Sequence, residues 1–214
     1  NKDVYTYLPN NLSLYNLQFT IQGVLTKNTH HTAINGSLWT ICYELTLYVL
    51  LSFLFLFREN VKLIKCIVFS VFVVFFMGYV FYYERLSDIY FIGLEGKHFL
   101  NLGGFFISGS FLSCLEIEKM KHKKPVLLLV SSIFIVSIYY EIYNVVKHIV
   151  FPLLILLLAL IPIKKIYDFG KVGDMSYGIY IYSFPIQQIL MYFFNFNGKQ
   201  LMFTSVILSI IFGF

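Results

Sequence analysis

One carboxylate in this 214-residue chain stands where a carboxylate is costly. Glu44 closes the run Asn35-Gly36-Ser37-Leu38-Trp39-Thr40-Ile41-Cys42-Tyr43-Glu44, which continues into apolar sequence as far as Phe57. As a helix, Leu38 to Phe57 would cover roughly 30 Å, the thickness of a bilayer's hydrocarbon core. At about 1.5 Å per residue, Glu44 would lie roughly 9 Å below the helix start, where an ionised carboxylate is tolerated only if it faces protein or water. Two roles fit it. One is a structural acid, tied by hydrogen bonds to another helix or to the Asn35–Ser37 turn; the other is an acid that orients a catalytic group or a substrate hydroxyl. Burial would favour its neutral form unless a cation lies near. Tyr48, four residues on and on the same helix face, reaches the carboxylate region.

A second polar group lies late in the chain. Ser176 to Phe194 reads as a span, yet it carries Tyr177, Tyr180, Tyr182, Ser183, Gln187 and Gln188, with Pro185 near its middle. At about 100° per residue, Tyr177 and Tyr180 share a face with Phe184 and with Gln187 or Gln188. Such a seam serves either as hydrogen-bonding glue between helices or as the lining of a passage. Pro185 frees a backbone carbonyl, which in lipid is tolerated only where another group satisfies it, so this span should face protein or a cavity.

Other reactive side chains carry less. His30 and His31 are adjacent and point apart on either a helix or a strand, a poor chelating pair. His98 and His148 fall at span ends and His122 in a lysine-rich loop, where solvated or interfacial positions are expected. Cys42, Cys66 and Cys114 lie in apolar runs without Cys-x-x-Cys spacing, so they read as core or lipid-facing residues, and no metal site is expected. No phosphate loop, dinucleotide fingerprint or Ser-His-Asp order is present.

The elements that must hold these groups are apolar. Hydrophobic residues make up 58% of the chain and charged ones 13%, against about 25% charged in a soluble domain. The apolar residues fall in runs separated by short charged stretches: 38–57, 66–83, 99–115, 126–140, 149–163 and 176–194, with a seventh beginning at Leu201. Many of the 17 tyrosines sit near run ends, as interfacial rings do. The expected fold class is all-α, a polytopic transmembrane helical bundle of about six full spans plus a truncated seventh. Residues 1–37 would form an extracytoplasmic or interfacial lead-in, in which Leu12 to Leu25 could be a short helix, and residues 38–214 the bundle. Gly104 and Ser108 have the small-xxx-small spacing that lets helices approach, so the third span is expected inside the bundle. Pro152 is expected in the first turn of the fifth, where its missing donor is harmless.

Two stretches carry a resemblance. Asn35-Gly36-Ser37-Leu38-Trp39-Thr40-Ile41 with Glu44 and Tyr48 resembles a segment of the membrane-bound acyltransferase 3 family, which includes bacterial polysaccharide and O-antigen O-acetyltransferases. Gly173-Asp174-Met175-Ser176-Tyr177-Gly178-Ile179-Tyr180-Ile181-Tyr182-Ser183-Phe184-Pro185 is similar to that family's late helix, and Phe105-Phe106-Ile107-Ser108-Gly109 to a weaker feature. The similarity covers nearly the whole chain, as the C-terminal two-thirds of the family's membrane domain. It implies transfer of an acyl group, commonly acetyl, from cytoplasmic acyl-CoA as co-substrate to a hydroxyl of a carbohydrate or lipid-linked glycan, with no bound cofactor. It also implies a bacterial inner membrane location, Glu44 as catalytic residue, and Asn35, Trp39, Tyr48, Tyr177 and Tyr180 around the substrate. The family's catalytic histidine and arginine motif belong to its early helices and lie outside these residues, so a piece of a longer protein, inactive alone, is expected. Ser183 stands where many members carry histidine, and that histidine's role is not carried over. A transporter or flippase of glycan intermediates is the rival reading.

The net charge of +5 is spread over loops and forms no nucleic-acid patch. Segments 58–65, 116–125 and 164–175 hold ten cations, while 1–37, 84–98, 141–148 and 195–200 hold six over more residues. The positive-inside rule puts the first set in the cytoplasm. With Cys42, Cys66 and Cys114 replaced by serine, the thiol of a Lys121→Cys chain should resist an impermeant maleimide added outside intact cells and react after permeabilisation. Labelling before permeabilisation would reverse this orientation.

Overall fold

The computed structural model describes residues 1–28, 32–161 and 174–214. These are mainly helical, with one two-stranded hairpin, and they divide into two compact units, Asn1–Cys42 with Lys165–Phe214 and Tyr43–Lys164. Each is described by itself.

The first unit begins with α1, Lys2–Leu12, started by the Asn1 side chain, which accepts from the Asp3 N–H at 3.3 Å. The short helix expected between Leu12 and Leu25 is absent. Leu14, Gly23 and Leu25 take positive φ there, and this stretch instead turns back on α1, held by Gln18, whose amide donates to the Asp3 carbonyl at 2.9 Å. A 310 turn, Gly36–Thr40, follows. Helices α7, Ser176–Phe193, and α8, Gly198–Gly213, then form a hairpin. Asn197 and Gln200 start α8 as a reciprocal capping box. Gly178 and Gly213 let the two helices touch backbone to backbone: a Cβ on Gly178 would stand 2.5 Å from the Gly213 carbonyl oxygen.

The second unit contains α2, Ile41–Ser52, from its Tyr43 onward, then α3, Val61–Tyr82, α4, Gly96–Cys114, α5, Lys123–Tyr139, and α6, Tyr143–Ala159. Successive helices alternate in direction, and α4 packs on both α3 and α6. Five residues of α4 are buried: Gly103, Gly104, Ile107, Ser108 and Leu112. This is the interior place that its small residues imply. A short hairpin, β1 Tyr90–Phe91 and β2 Leu94–Glu95, pairs Tyr90 with Glu95 in the loop before α4.

Alternation gathers the charges. One end of this unit carries 58–65 and 116–125, with seven cations, three carboxylates and no tyrosine. There Lys119 hydrogen-bonds Glu116, which holds the Glu116 carboxyl below its ordinary range and the Lys119 ammonium above. The other end carries Tyr79, Tyr82, Tyr83, Tyr90, Tyr139, Tyr140 and Tyr143, with four carboxylates against three cations.

Two helical stretches, Gly36–Phe57 and Val61–Tyr82, are long and apolar enough to cross a membrane, whereas α6 and α8 are apolar but shorter. Element boundaries shift by a few residues because polar residues at run ends still propagate a helix. Asn60, accepting from the Leu63 N–H at 3.0 Å, starts α3 well before Cys66. Tyr143, Asn144 and Lys147 extend α6 upstream after a turn in which Glu141 takes φ 59°. Pro152 consequently lies in the interior of α6, not its first turn, so the His148 carbonyl loses its i+4 donor.

A Cβ on Gly104 would stand 2.7 Å from His148 Cδ2, whereas one on Gly109 of the same helix meets nothing within 4 Å. Gly104→Ala should therefore lower stability by about 1–3 kcal/mol, and Gly109→Ala should be neutral or stabilising by up to about 1 kcal/mol. Thermal unfolding of the purified variants in detergent checks the contrast; equal melting temperatures would refute this α4–α6 packing.

Candidate functional site

In the first unit the Asn35–Thr40 stretch packs on α7 around one carbonyl. Pro185 has no N–H, so the carbonyl of Ile181, four residues earlier in α7, lacks its helical donor. The Asn35 side-chain amide donates to that oxygen at 3.1 Å. Its other atom, Oδ1, accepts from the Ser37 N–H at 3.0 Å and starts the 310 turn. Asn35 is buried with both ends in use. Aspartate would set a carboxylate oxygen against the carbonyl where a donor is required.

Neighbouring residues follow from this contact. A Cβ on Gly36 would stand 2.7 Å from the Phe184 ring, so glycine permits the approach. The Tyr180 hydroxyl donates to the Ser37 carbonyl at 2.7 Å and lies 2.6 Å from Thr40 Oγ1. With its proton directed to Ser37, it accepts from Thr40. One helical turn beyond Pro185, the buried Asn28 amide donates to Gln188, at 2.6 Å to Oε1 and 3.0 Å to the backbone carbonyl. The α7 seam, at Tyr180 and Gln188, is thus glue between segments. Trp39 is 37% exposed on the 310 turn and Tyr177 is 58% exposed in the first turn of α7. Asp174, just before α7, accepts from the Ser176 hydroxyl at 2.5 Å and N–H at 3.0 Å, and these bonds hold its carboxyl below the ordinary range.

Glu44 and Tyr48 belong to the second unit. Glu44 occupies the first turn of α2 and is exposed within this unit. Tyr48 packs edge-on against Phe106 with centroids 5.5 Å apart and is also exposed. Their buried neighbour Tyr43, not singled out by sequence, accepts from the Glu95 N–H at 3.0 Å and ties α2 to the hairpin.

His148 departs most from expectation. Instead of lying solvated at a span end it is 1% exposed, with its ring 4.3 Å from that of Tyr79 and 4.5 Å from Phe105, and Nε2 3.0 Å from the Asn101 carbonyl. Hydropathy could not reveal this, because the groove that admits the imidazole is made by the absent side chain of Gly104. His98 is half-buried beside Glu95 and His122 is exposed. His30 and His31 lie outside the described residues. Among the described residues, no three His, Cys, Asp or Glu side chains gather as a metal site.

Chemically, the first unit offers a rigid polar frame on α7, and the second an accessible carboxylate. Compared with family models, curated proteins and solved structures, the chain finds no match.

The Asn35 contact makes a two-step forecast. Asn35→Ala should cost about 1–3 kcal/mol by leaving a buried carbonyl without a donor. In a Pro185→Ala background, where residue 185 regains its N–H, the same change should cost at least about 1 kcal/mol less. A double-mutant cycle from unfolding in detergent measures the difference; additive costs would show that Asn35 does not serve the Pro185 carbonyl.

Proposed function

We propose that these residues belong to a multi-pass O-acyltransferase of a bacterial inner membrane, which moves an acyl group, in the simplest case acetyl, from acyl-CoA to a hydroxyl of a cell-surface carbohydrate or lipid-linked glycan. The observation that carries this reading is the packing of the start of the first family-like segment on the second. Asn35, Gly36, Ser37 and Thr40 meet Tyr180, Ile181 and Phe184. In the same reading the 36–57 stretch and α3 to α7 are six spans and α8 begins a seventh.

Two features support membrane residence. A soluble core helix as apolar as α3 would be covered by its own protein, but only 11% of the apolar window of α3 is buried, and 17% of that in Gly36–Phe57. The second unit also has a lysine-rich end and a tyrosine-rich end, separated by helices of up to 22 residues, roughly 33 Å. This is the layout of a protein fixed across a bilayer.

In the reaction, a base takes the acceptor hydroxyl's proton as its oxygen attacks the thioester carbonyl. The resulting oxyanion collapses, the carbon–sulfur bond breaks, and the CoA thiolate leaves. Glu44, exposed and one turn beyond Thr40, orients the acceptor hydroxyl. The packed segments of the first unit hold fixed the chain that leads into α2. The transporter reading is less well served: α7 runs unbroken through Pro185, with none of the unwound backbone that lines such paths.

Cells whose gene carries Glu44→Gln should insert the protein normally and lose acceptor esterification about 100-fold, measured as acetyl transfer from labelled acetyl-CoA. Wild-type transfer would remove Glu44 from the mechanism. Movement of unmodified glycan without ester formation would favour the transporter.

A further inference from the structure

We propose that the cleft between α3 and α6 is a binding site for an oxyanion, carboxylate or phosphate, carried on a hydroxylated ring. The cleft encloses about 510 Å³ in the second unit, at its tyrosine-rich end. Tyr79, Tyr83, Glu84, Arg85, Asn144 and Lys147 are among the residues that line it. The volume is that of a small-molecule site.

The charge requirement comes from Lys147. It is half-buried and, among the described residues, makes no ion pair. Its ammonium rests instead on ring faces, 4.6 Å from the Tyr79 centroid and 6.0 Å from that of Phe105. A cation drawn from water and held only by aromatic faces is complementary to an anion. Arg85 adds a planar guanidinium suited to two-point recognition of carboxylate or phosphate. Glu84 is the one carboxylate in the lining; it is exposed, with Lys97 Nζ 3.8 Å away, and Arg85, Lys147 and Lys97 outnumber it. The first turn of α6 reaches the same cleft through Asn144 and has no side-chain cap, so the helix dipole adds to the same field.

The ring requirement comes from size and lining. A bare phosphate would fill a small part of 510 Å³. The part-exposed Tyr83 ring, 4.6 Å from that of the buried Tyr79, offers apolar surface for the C–H side of a sugar or polyol ring, and Asn144 both donates to and accepts from its hydroxyls. Two sources carry this chemistry, an acidic saccharide and the phosphorylated headgroup of a lipid. The site stands whether or not the chain transfers acyl groups. With the orientation argued from loop charge, it opens on the face where a surface glycan is met.

The test uses the full chain in phosphatidylcholine nanodiscs and isothermal titration with four probes: a glucuronic acid-containing disaccharide, its neutral glucose counterpart, glycerophosphoinositol and inorganic phosphate. At least one ring-bearing anion should bind at least about tenfold tighter than the neutral disaccharide and than phosphate. That affinity should fall about tenfold in Arg85→Gln and in Lys147→Gln, persist in Lys147→Arg, and be unchanged in Lys121→Gln at the opposite end. Preference for the uronide assigns a saccharide source, and preference for the phosphoinositol a lipid headgroup. Circular dichroism of each variant separates lost binding from lost fold, and Arg85→Gln supplies the answer if Lys147→Gln does not fold. Equal binding of the neutral sugar, phosphate binding as well as the ring-bearing anions, no saturable binding, or affinity unmoved in the folded variants would overturn the site.

Discussion

A single carbonyl oxygen sets the terms for the first unit. Pro185 places in α7 a backbone acceptor that the helix cannot satisfy, and in an apolar setting an unpaired acceptor is costly enough to exclude the conformation. The chain answers from 146 residues away with the Asn35 amide. That bond requires the Asn35 backbone to sit close against α7, which requires no side chain at Gly36, which in turn sets the Ser37 carbonyl where the Tyr180 hydroxyl finds it. Each contact is a modest stabilisation, of the order of 1 kcal/mol, but they share one geometry and stand or fall together.

The second unit solves a different problem with the same economy of side chains. Helices that are apolar all round discriminate little between their faces by hydrophobicity, so close packing and buried polar contacts must fix which faces meet. Gly103 admits the Phe75 ring and Gly104 admits His148, so α3 and α6 both lock onto α4 at adjacent residues. Ser137, buried and bonded to the Phe134 carbonyl at 2.7 Å, satisfies its hydroxyl within α5. Around α4 the interior is thus specified by missing Cβ atoms, while α5 and α6 meet through an apolar cluster in which Val130, Val150 and Leu157 are buried.

What could be read from sequence follows from this division. Helix existence was legible because the apolar runs are longer than strands usually are, and the demand for a partner at Pro185 followed from its missing N–H. The partner's identity was not legible, since any donor would serve and nothing near Asn35 advertises a target in α7. His148 and Pro152 were misplaced for one reason: hydropathy marks where a chain becomes apolar, not where a helix begins, and α6 begins six residues before its apolar run. α1 escaped notice because its stability comes from the Asn1 cap and from Gln18 folding back, while no residue of it is buried.

This separation bears on which residues can act. Asn35 uses both ends of its amide and Tyr180 both its donor and an acceptor within the frame, so contacting a substrate would cost each of them bonds already made. Such residues position; they do not react. Trp39 and Tyr177, by contrast, stand at the surface of this frame. From Asn35 to Thr40 the chain is therefore a support, with an amide, a missing side chain and a hydroxyl all committed to α7.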